Sequence, residues 1–353
     1  MSTTTMTPKE IVFTGLDRKV PPRLPVAPFG GGVWTIFRSG TTFKELSTDV
    51  DTMTATILKI HKEFQQDIVF SGSGFNNLYV GALGGTIKFR EVGAPDLVEP
   101  MIKDRSDIDK LDLDKVDHDP VVNTIREATR NIKKAIGDET LVTMTCWGPF
   151  TMGAQLYEVE RYMRAIAKDK ESVHAVNEFA VEFIKRIYEP LIDDGTMEMV
   201  TISDPTVSGD LCSFRQFKEF SLPYTKRLVE WLKEKGVRSL LHVCGDTRKS
   251  LEFFAETGAD CVSLDAKVDI KEAKEKIGDR ICISGNINPV HVLDQGDEAR
   301  VREFTEETLK KVGEVGFGGY ISMPGCDNPP SVPDENMKLF FKISKEWDIG
   351  TSG

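Results

Sequence analysis

The sequence lacks the features of several broad protein classes. Its six cysteines are too few and too irregularly spaced in 353 residues for a disulfide framework. It has no basic excess, because 45 Lys and Arg against 56 Asp and Glu give a net charge of -11, which argues against binding nucleic acid or anionic membranes. No apolar run approaches the roughly 18 residues that span a bilayer, and the polar start Met1–Pro8 has no apolar core of a secretion signal. We therefore expect a cytoplasmic globular protein.

Short apolar runs alternate with amphipathic helical stretches from about residue 24 onward. This alternation is typical of parallel strands joined by crossover helices. The runs are Leu24–Pro28, Asp67–Ser71, Leu141–Trp147, Met199–Asp204, Leu240–Cys244, Cys261–Asp265, Ile281–Asn286 and Tyr320–Met323. Eight βα units in a chain of this length predict one α/β domain, a (β/α)8 TIM barrel over residues 21–348, with residues 1–20 as an N-terminal extension.

Two segments depart from the βα alternation. The segment Ala82–Glu91, with the sequence GGTIKFRE after its first residues, predicts a hairpin inserted after the second strand. The charged stretch Met101–Asp119 predicts a surface excursion before the third strand. Neither segment has the composition of a linker, so we place no further domain boundary.

Side chains with polar groups lie at the ends of several of the predicted strands. In a βα barrel the carboxyl ends of the strands form the functional face, so these residues are the first candidates for a site. They are Trp147, Asp204, His242, Cys244, Asp265 and Asn286.

The run SLLHVCGDT places two metal-binding side chains at one strand end. His242 and Cys244 are two residues apart, so the alternation of a strand directs both to the same face, the barrel interior. Imidazole and thiolate are natural zinc ligands, and Cys326 in MPGCDNPP follows the eighth run at the same end of the barrel. Three protein ligands leave a fourth position open, as in catalytic zinc sites, and Asp265 could fill that position or support a ligand.

Plainer interpretations of these residues remain open. His242 could be a hydrogen-bonded core histidine, with both cysteines as packing residues. Asp204 and Asp265 could cap the helices that follow them. Trp147 could be a core residue.

The sequence also resembles the uroporphyrinogen decarboxylase family over nearly its whole length. The segments that carry the resemblance are VWTIFRSGTTFKEL, DIVFSG, GPFTMGAQL, FKEFSLPYTKRL, HVCGDT, ISGNINP and GGYISMPGCDNPPSVPDEN. Within the family it looks like the zinc-dependent methyltransferases that move methyl groups from a methylcobamide on a corrinoid protein to coenzyme M. The zinc motif of that branch, His-x-Cys with a distant Cys, falls on His242, Cys244 and Cys326. The resemblance therefore implies zinc, a corrinoid partner protein and a small thiol.

The decarboxylases of the same family are the alternative. Their signature arginines correspond here to Phe37 and Thr41, their key aspartate to Gly72, their active-site tyrosine to Gln155 and their late histidine to Cys326. A porphyrinogen also carries several carboxylates, for which Arg23 and Arg38 would be a thin supply of cations. A second alternative is a non-catalytic, zinc-stabilised module that docks a corrinoid protein.

The methyltransferase hypothesis assigns roles to the remaining candidates. Asp204 and Asn286 would orient the substrate, and Trp147 with Phe150 would flank an apolar group or the corrin edge. Gln155 completes the substrate-binding set. The metal could activate a thiol for methylation, or in the reverse direction polarise a methylated substrate while cobalt takes the methyl group. The sequence selects neither the direction nor the donor or acceptor.

Overall fold

A computed structural model describes residues 6–350, so residues 1–5 of the predicted N-terminal extension lie outside the described residues. The strands are β1 (Ile68–Phe70), β2 (Ile87–Lys88), β3 (Asp96–Leu97), β4 (Leu141–Trp147), β5 (Met199–Ser203), β6 (Arg238–Val243), β7 (Cys261–Leu264), β8 (Cys282–Ile287) and β9 (Tyr320–Pro324). The α-helices are α1 (Pro8–Leu16), α2 (Gly32–Ser39), α3 (Phe43–Thr48), α4 (Val50–Phe64), α5 (Asn76–Ala82), α6 (Lys115–His118), α7 (Pro120–Ile136), α8 (Pro149–Tyr157), α9 (Val159–Lys168), α10 (Lys170–Asp193), α11 (Phe214–Gln216), α12 (Leu222–Glu234), α13 (Leu251–Glu256), α14 (Ile270–Ile277), α15 (Glu298–Val315) and α16 (Asp334–Glu346).

Seven strands form one parallel sheet in the order β1-β4-β5-β6-β7-β8-β9. Each strand pairs with the next one along the chain, and helices lie in every connection between them. The predicted α/β fold with parallel strands is therefore confirmed. Because all seven strands run the same way, their carboxyl ends meet on one face of the molecule.

The first predicted run does not form a strand of its own. Val26 makes a single parallel bridge to Ser322 of β9, supported by backbone hydrogen bonds from Ala27 N to Ser322 O (3.2 Å) and from Ser322 N to Pro25 O (2.9 Å). On its other side, Asp67 N donates to Val26 O over 2.9 Å, just before β1. The segment thus lies between the two edge strands, and the prolines on either side of Val26 and Ala27 shorten its ladder because they have no N–H to donate.

Helix α1 closes the amino ends of the strands. Thr7 and Glu10 form a capping box at its start, and its buried residues Val12 and Leu16 face the sheet. These two side chains pack in one cluster with residues at the starts of the strands, namely Ile68, Leu141, Met199, Leu240, Cys261 and Cys282. The part of the predicted extension that forms α1 therefore packs against the core, on the side opposite the carboxyl ends.

The helices around the sheet are amphipathic, as α7 illustrates. Asp119 caps this helix by accepting from Val122 N, and its buried side chains include Ile125, Ala128 and Ile132 on one face. No described helix is both long enough and apolar enough to cross a bilayer. The cytoplasmic location stays a prediction.

The predicted hairpin is displaced along the chain. Its strands are β2 and β3, which pair antiparallel with Ile87 opposite Leu97 and Lys88 opposite Asp96, so only the first arm falls within the predicted range. Ala82, where that range began, is instead the last residue of α5. The sequence between the arms is longer than a tight turn, which is why the second arm was not recognised.

Candidate metal centre

Three predicted ligands meet at the carboxyl end of the sheet. The imidazole of His242, near the end of β6, and the thiols of Cys244 and Cys326 have ligand atoms that all lie within 4.8 Å of one another. His242 Nε2 is 3.0 Å from Cys244 Sγ, and the two sulfur atoms are 3.2 Å apart, as free thiols. The structure thus brings together residues that are more than 80 positions apart in the chain.

The late cysteine reaches the site because a glycine precedes it. A Cβ atom on Gly325 would lie 2.7 Å from Ala266 N and 3.1 Å from the carbonyl carbon of Asp265. Contacts this short exclude any larger residue without a shift of backbone. Gly325 therefore lets the segment after β9 pass close to the loop after β7, with Cys326 next to Cys244.

The orientation of His242 is set by its neighbours. The ring is fully buried, its Nδ1 lies 3.0 Å from Ser263 Oγ, and the Phe29 ring packs on it with centroids 4.0 Å apart. With Nδ1–H donating to Ser263, Nε2 presents its lone pair toward the sulfur atoms. Ser263 was not among the predicted site residues. The alternation of Cys261 and Ser263 along β7, continued by Asp265 just after the strand, would have indicated that the Ser263 side chain points into the barrel interior with His242.

The two thiols titrate as a pair. A hydrogen bond from Cys244, assisted by the nearby His242 ring, lowers the pKa of Cys326 to about 5. The same hydrogen bond, together with burial and the charges of Cys326 and Asp265, raises the pKa of Cys244 well above its usual value. The two pKa values move in opposite directions because two thiolates this close would repel each other in a half-buried site.

This donor set fits zinc. One imidazole and two thiols within reach of a common point are the usual ligands of a Zn²⁺ ion, and three protein ligands match the number found in catalytic sites. A divalent cation would also take the place of thiol protons, since cysteines bind metals as thiolates.

Asp265 supports the site through backbone groups. Its Oδ2 accepts from Gly245 N over 2.9 Å and its Oδ1 accepts from Lys267 N over 2.9 Å. The carboxylate thereby holds the residue that follows Cys244. It does not cap α14, whose N-cap is Asp269, so the helix-cap interpretation of Asp265 is wrong.

Asp204 lies behind the site, between β5 and the surrounding helices. Its Oδ1 accepts from Thr151 N over 2.7 Å in the first turn of α8, and Ser221 Oγ lies 3.4 Å from its Oδ2. The Asp204 side chain therefore caps α8, the helix of the preceding βα unit. It makes no cap hydrogen bond to the helical turn that follows Asp204. Complete burial raises the pKa of Asp204 to about 6.

The predicted aromatic residues differ in accessibility. Trp147, the last residue of β4, is half-buried at the carboxyl end of the sheet. Phe150 is fully buried and packs edge-to-face against Tyr162 with centroids 4.9 Å apart, so contact with a substrate would require this side chain to move. Gln155 is half-buried on α8.

Asn286 forms part of the wall between the site and a lateral cavity. Its Nδ2 donates to Asp265 O (3.0 Å) and Val268 O (2.6 Å), which fixes the loop after β7. The cavity beyond it has a volume of about 900 Å³ and extends to Arg300 and Phe304 on α15. None of the three candidate ligands lines this cavity.

A family model described as uroporphyrinogen decarboxylase (URO-D) matches residues 7–347. The chain belongs to the uroporphyrinogen decarboxylase family. Methylcobamide:CoM methyltransferase MtbA of Methanosarcina acetivorans is 27% identical over 350 residues, which cover 98% of this chain and 99% of that protein. Uroporphyrinogen decarboxylase of Trichodesmium erythraeum is 27% identical over 315 residues, which cover 86% of this chain and 85% of that protein. A solved methyltransferase from Methanosarcina mazei has the same fold, with a TM-score of 0.84 at 23% identity over 97% of this chain and 99% of that one.

In this member of the uroporphyrinogen decarboxylase family, the two arginines considered for substrate carboxylates are already engaged. Arg23 binds Asp67 through both terminal nitrogens, at 2.7 and 2.9 Å. Arg38 binds Asp334 and the carbonyl oxygens of Val332 and Pro330. Neither guanidinium is free to bind a further anion without losing these partners.

One residue that sequence reasoning overlooked lies directly beside Cys326. Asp327 accepts from Gly31 N over 2.6 Å, which joins the segment of the third ligand to the residues after the first predicted run. Burial raises the pKa of Asp327 to about 6. The partner of Asp327 is the backbone N–H of Gly31, in a glycine triplet. Because no side chain of that triplet takes part, the sequence does not indicate the contact.

Proposed function

We propose that this protein is a zinc-dependent methyltransferase that moves a methyl group between a corrinoid (methylcobamide) protein and a small substrate. The substrate is a thiol such as coenzyme M or, in the reverse direction, a methylated compound whose methyl group passes to the corrinoid. The observation that carries the proposal is the convergence of His242, Cys244 and Cys326. The similarity to methylcobamide:CoM methyltransferase over nearly the full length of both chains supports it.

His242, Cys244 and Cys326 would hold the metal. When bound, zinc supplies Lewis acidity that lowers the pKa of a thiol or polarises a methylated heteroatom. By accepting a hydrogen bond from Nδ1–H, Ser263 would keep the proton of His242 on Nδ1, and Asp265 holds the backbone after Cys244. Cys244 and Cys326 would both bind the metal as thiolates.

The remaining site assignments belong to the same proposal. Asp265 is the candidate for the open coordination position, and Trp147 is the accessible aromatic at the strand ends. Asp204, Asn286, Phe150 and Gln155 complete the predicted substrate-binding set. We also propose that the sheet, with the Val26 segment between its edges, is a single-domain (β/α)8 barrel over residues 21–348.

A decarboxylase acting on a porphyrinogen is the second candidate, because a uroporphyrinogen decarboxylase is 27% identical to this chain. The engagement of Arg23 and Arg38 argues against it, since the carboxylates of such a substrate need cationic partners. The cluster of two thiols and an imidazole serves no purpose in binding carboxylates. We therefore rank this candidate below the methyltransferase.

The test combines metal analysis with a transfer assay. The purified protein should contain one zinc per chain and should move methyl groups between methylcobalamin and a small thiol, followed by the change in cobalamin absorbance. Cys244→Ala should lose both zinc and transfer, because one of three ligands is removed. Cys212→Ala is the matched control, since this buried cysteine lies outside the ligand cluster and its loss should affect neither quantity.

Two outcomes would contradict the proposal. Full zinc content and undiminished transfer in Cys244→Ala would show that the cluster is not the metal site. Release of carbon dioxide from a porphyrinogen by the wild-type protein, without methyl transfer in either direction, would favour the decarboxylase. Running the assay with methylated donors and cob(I)alamin distinguishes the two directions.

A further inference from the structure

The segment that carries Cys326 has no regular secondary structure. It runs from Cys326 to Pro333, ahead of α16, and is called the Cys326 loop here. Three of its residues are prolines, which cannot donate backbone hydrogen bonds. Few of its hydrogen bonds are internal, and much of its shape depends on groups elsewhere in the chain.

Those groups lie in one stretch near the N-terminus. The stretch Phe29–Arg38, called the clamp here, begins directly after the first predicted run and includes most of α2. At its start, Gly31 N donates to Asp327 Oδ1 over 2.6 Å, and Phe29 O accepts from Asn328 Nδ2 over 3.4 Å. These two contacts fix the residues that follow Cys326.

The far end of the clamp binds the other half of the loop. Trp34 Nε1 donates to Val332 O over 3.3 Å, in a fully buried contact. Arg38 Nη1 donates to Pro330 O over 3.3 Å, and its other nitrogens bind Val332 O and the Asp334 carboxylate. The Arg38 guanidinium also stacks on the Trp34 ring at 4.3 Å. One arginine thus closes the loop by contacting two of its residues, Pro330 and Val332, and the first residue of α16.

The clamp also touches the other side of the metal site. Phe29 packs on the His242 ring at 4.0 Å. A glycine triplet brings this end of the clamp close to its neighbours, because a Cβ on Gly30 would lie 2.9 Å from Ser73 Oγ and one on Gly32 would lie 2.1 Å from Ser73 O. The clamp is therefore anchored at the strand ends and contacts both parts of the predicted ligand set.

We propose that Trp34 and Arg38 are positioning residues that hold Cys326 within reach of a metal on His242 and Cys244. The inference rests on the metal site of the proposed function and assigns to Arg38 a role other than binding substrate anions. A ligand on an unrestrained loop must be ordered when the metal binds, whereas the clamp orders it beforehand. Neither side chain touches the metal ligands, so their effect on metal binding passes through the loop.

The experiment measures zinc affinity by competition with a chromophoric chelator, without any methyl donor. Arg38→Met keeps the stem over Trp34 but removes every hydrogen bond. It should weaken zinc binding by up to about 100-fold, the largest usual effect of losing a partner that contacts a ligand directly. Arg38→Lys should recover part of the loss, because an amine can pair with Asp334 but cannot span the two carbonyls. Trp34→Phe removes one hydrogen bond and should weaken binding by roughly two- to tenfold.

Arg126→Met is the matched control. Arg126 is also buried and also donates to carbonyl oxygens, those of Arg186 and Ile187, but these contacts are remote from the metal site. This variant should lower the melting temperature and leave zinc affinity unchanged. Co²⁺ provides a second readout, since the thiolate-to-cobalt absorption of Arg38→Met should fall toward that of Cys326→Ala.

Each outcome decides the proposal. Wild-type zinc affinity and wild-type Co²⁺ absorption in a folded Arg38→Met protein would overturn it, as would an equal loss of affinity in Arg126→Met. Should Arg38→Met fail to fold, Trp34→Phe decides in the same way. A wild-type protein without zinc affinity would overturn both this inference and the proposed function. If Arg38→Met weakens zinc binding while the wild-type protein transfers no methyl group, the positioning role of the clamp would be supported and the proposed reaction refuted.

Discussion

The hydrogen bond between Ser263 and His242 offers a sharp test of how the proposed metal centre is organised. Both residues are fully buried, on the neighbouring strands β7 and β6, with Ser263 Oγ 3.0 Å from His242 Nδ1. We predict that Ser263→Ala weakens zinc binding without unfolding the protein. Water has no access to the vacated position, so Nδ1–H would be left without an acceptor.

The expected magnitude follows from that burial. A buried donor left unpaired costs about 1 to 3 kcal/mol, and the loss of an outer partner of a ligating histidine costs about 10- to 100-fold in metal affinity. The two figures agree, because 10- to 100-fold corresponds to about 1.4 to 2.7 kcal/mol. The loss should appear mainly in zinc affinity, since the imidazole can take its other tautomer when no metal is bound.

The assay is chelator competition on wild type, Ser263→Ala and a matched control. Ser284 on β8 is in register with Ser263 and is also fully buried, but within residues 6–350 its hydroxyl has no hydrogen-bond partner. Ser284→Ala therefore removes the same atom from the same layer of the interior. It should leave zinc affinity unchanged and should not destabilise the fold.

Two results would refute this reasoning. Equal zinc affinity in Ser263→Ala and wild type would mean that the hydroxyl does not orient the imidazole. An equal loss in both serine variants would mean that the layer responds to packing, and not to the hydrogen bond with His242.

Two further predictions concern the fold around the site. The pKa of Asp204 is raised by burial to about 6, above the value of about 3.9 in an unfolded chain, so the folded state retains a proton that the unfolded state has released between about pH 4 and pH 6. Wild type should therefore lose stability relative to Asp204→Asn as the pH rises through that window, measured by urea unfolding at successive pH values; a pH-independent difference would contradict the assignment. Leu16→Ala should destabilise the protein by about 2 to 5 kcal/mol, because Leu16 is only 1% exposed beneath the sheet. Zinc affinity should be unchanged, and Val20→Ala at a 51% exposed position serves as the control; equal stability of the two variants would show that α1 is not part of the core.

The strands were largely predictable, and the exceptions have local causes. Seven of the eight apolar runs coincide with strands of the parallel sheet, and Leu141–Trp147 matches β4 at both ends. The remaining run, Leu24–Pro28, is the first in the chain and contributes only one bridge, because prolines interrupt its hydrogen-bond ladder. The hairpin was misplaced because its short arms, two residues each, carry no periodic pattern.

The candidate site was also predictable only in part. Strand alternation placed His242 and Cys244 on one face, since side-chain direction along a strand depends only on position. The role of Asp204 was not predictable, because its partner Thr151 belongs to the preceding βα unit. Arg38 was considered for substrate binding, whereas in the folded chain it closes a loop some 300 residues away.

The sequence by itself determined the βα alternation, the parallel sheet and the adjacent positions of His242 and Cys244, because these depend on periodicity and on the chemistry of individual side chains. Only the tertiary structure decided which groups hold these two side chains and Cys326 in place. Ser263 on His242, Gly325 against Ala266 and Arg38 on the Cys326 loop are contacts between segments distant in sequence. No local pattern encodes such contacts, since they arise when the carboxyl ends of parallel strands meet on one face.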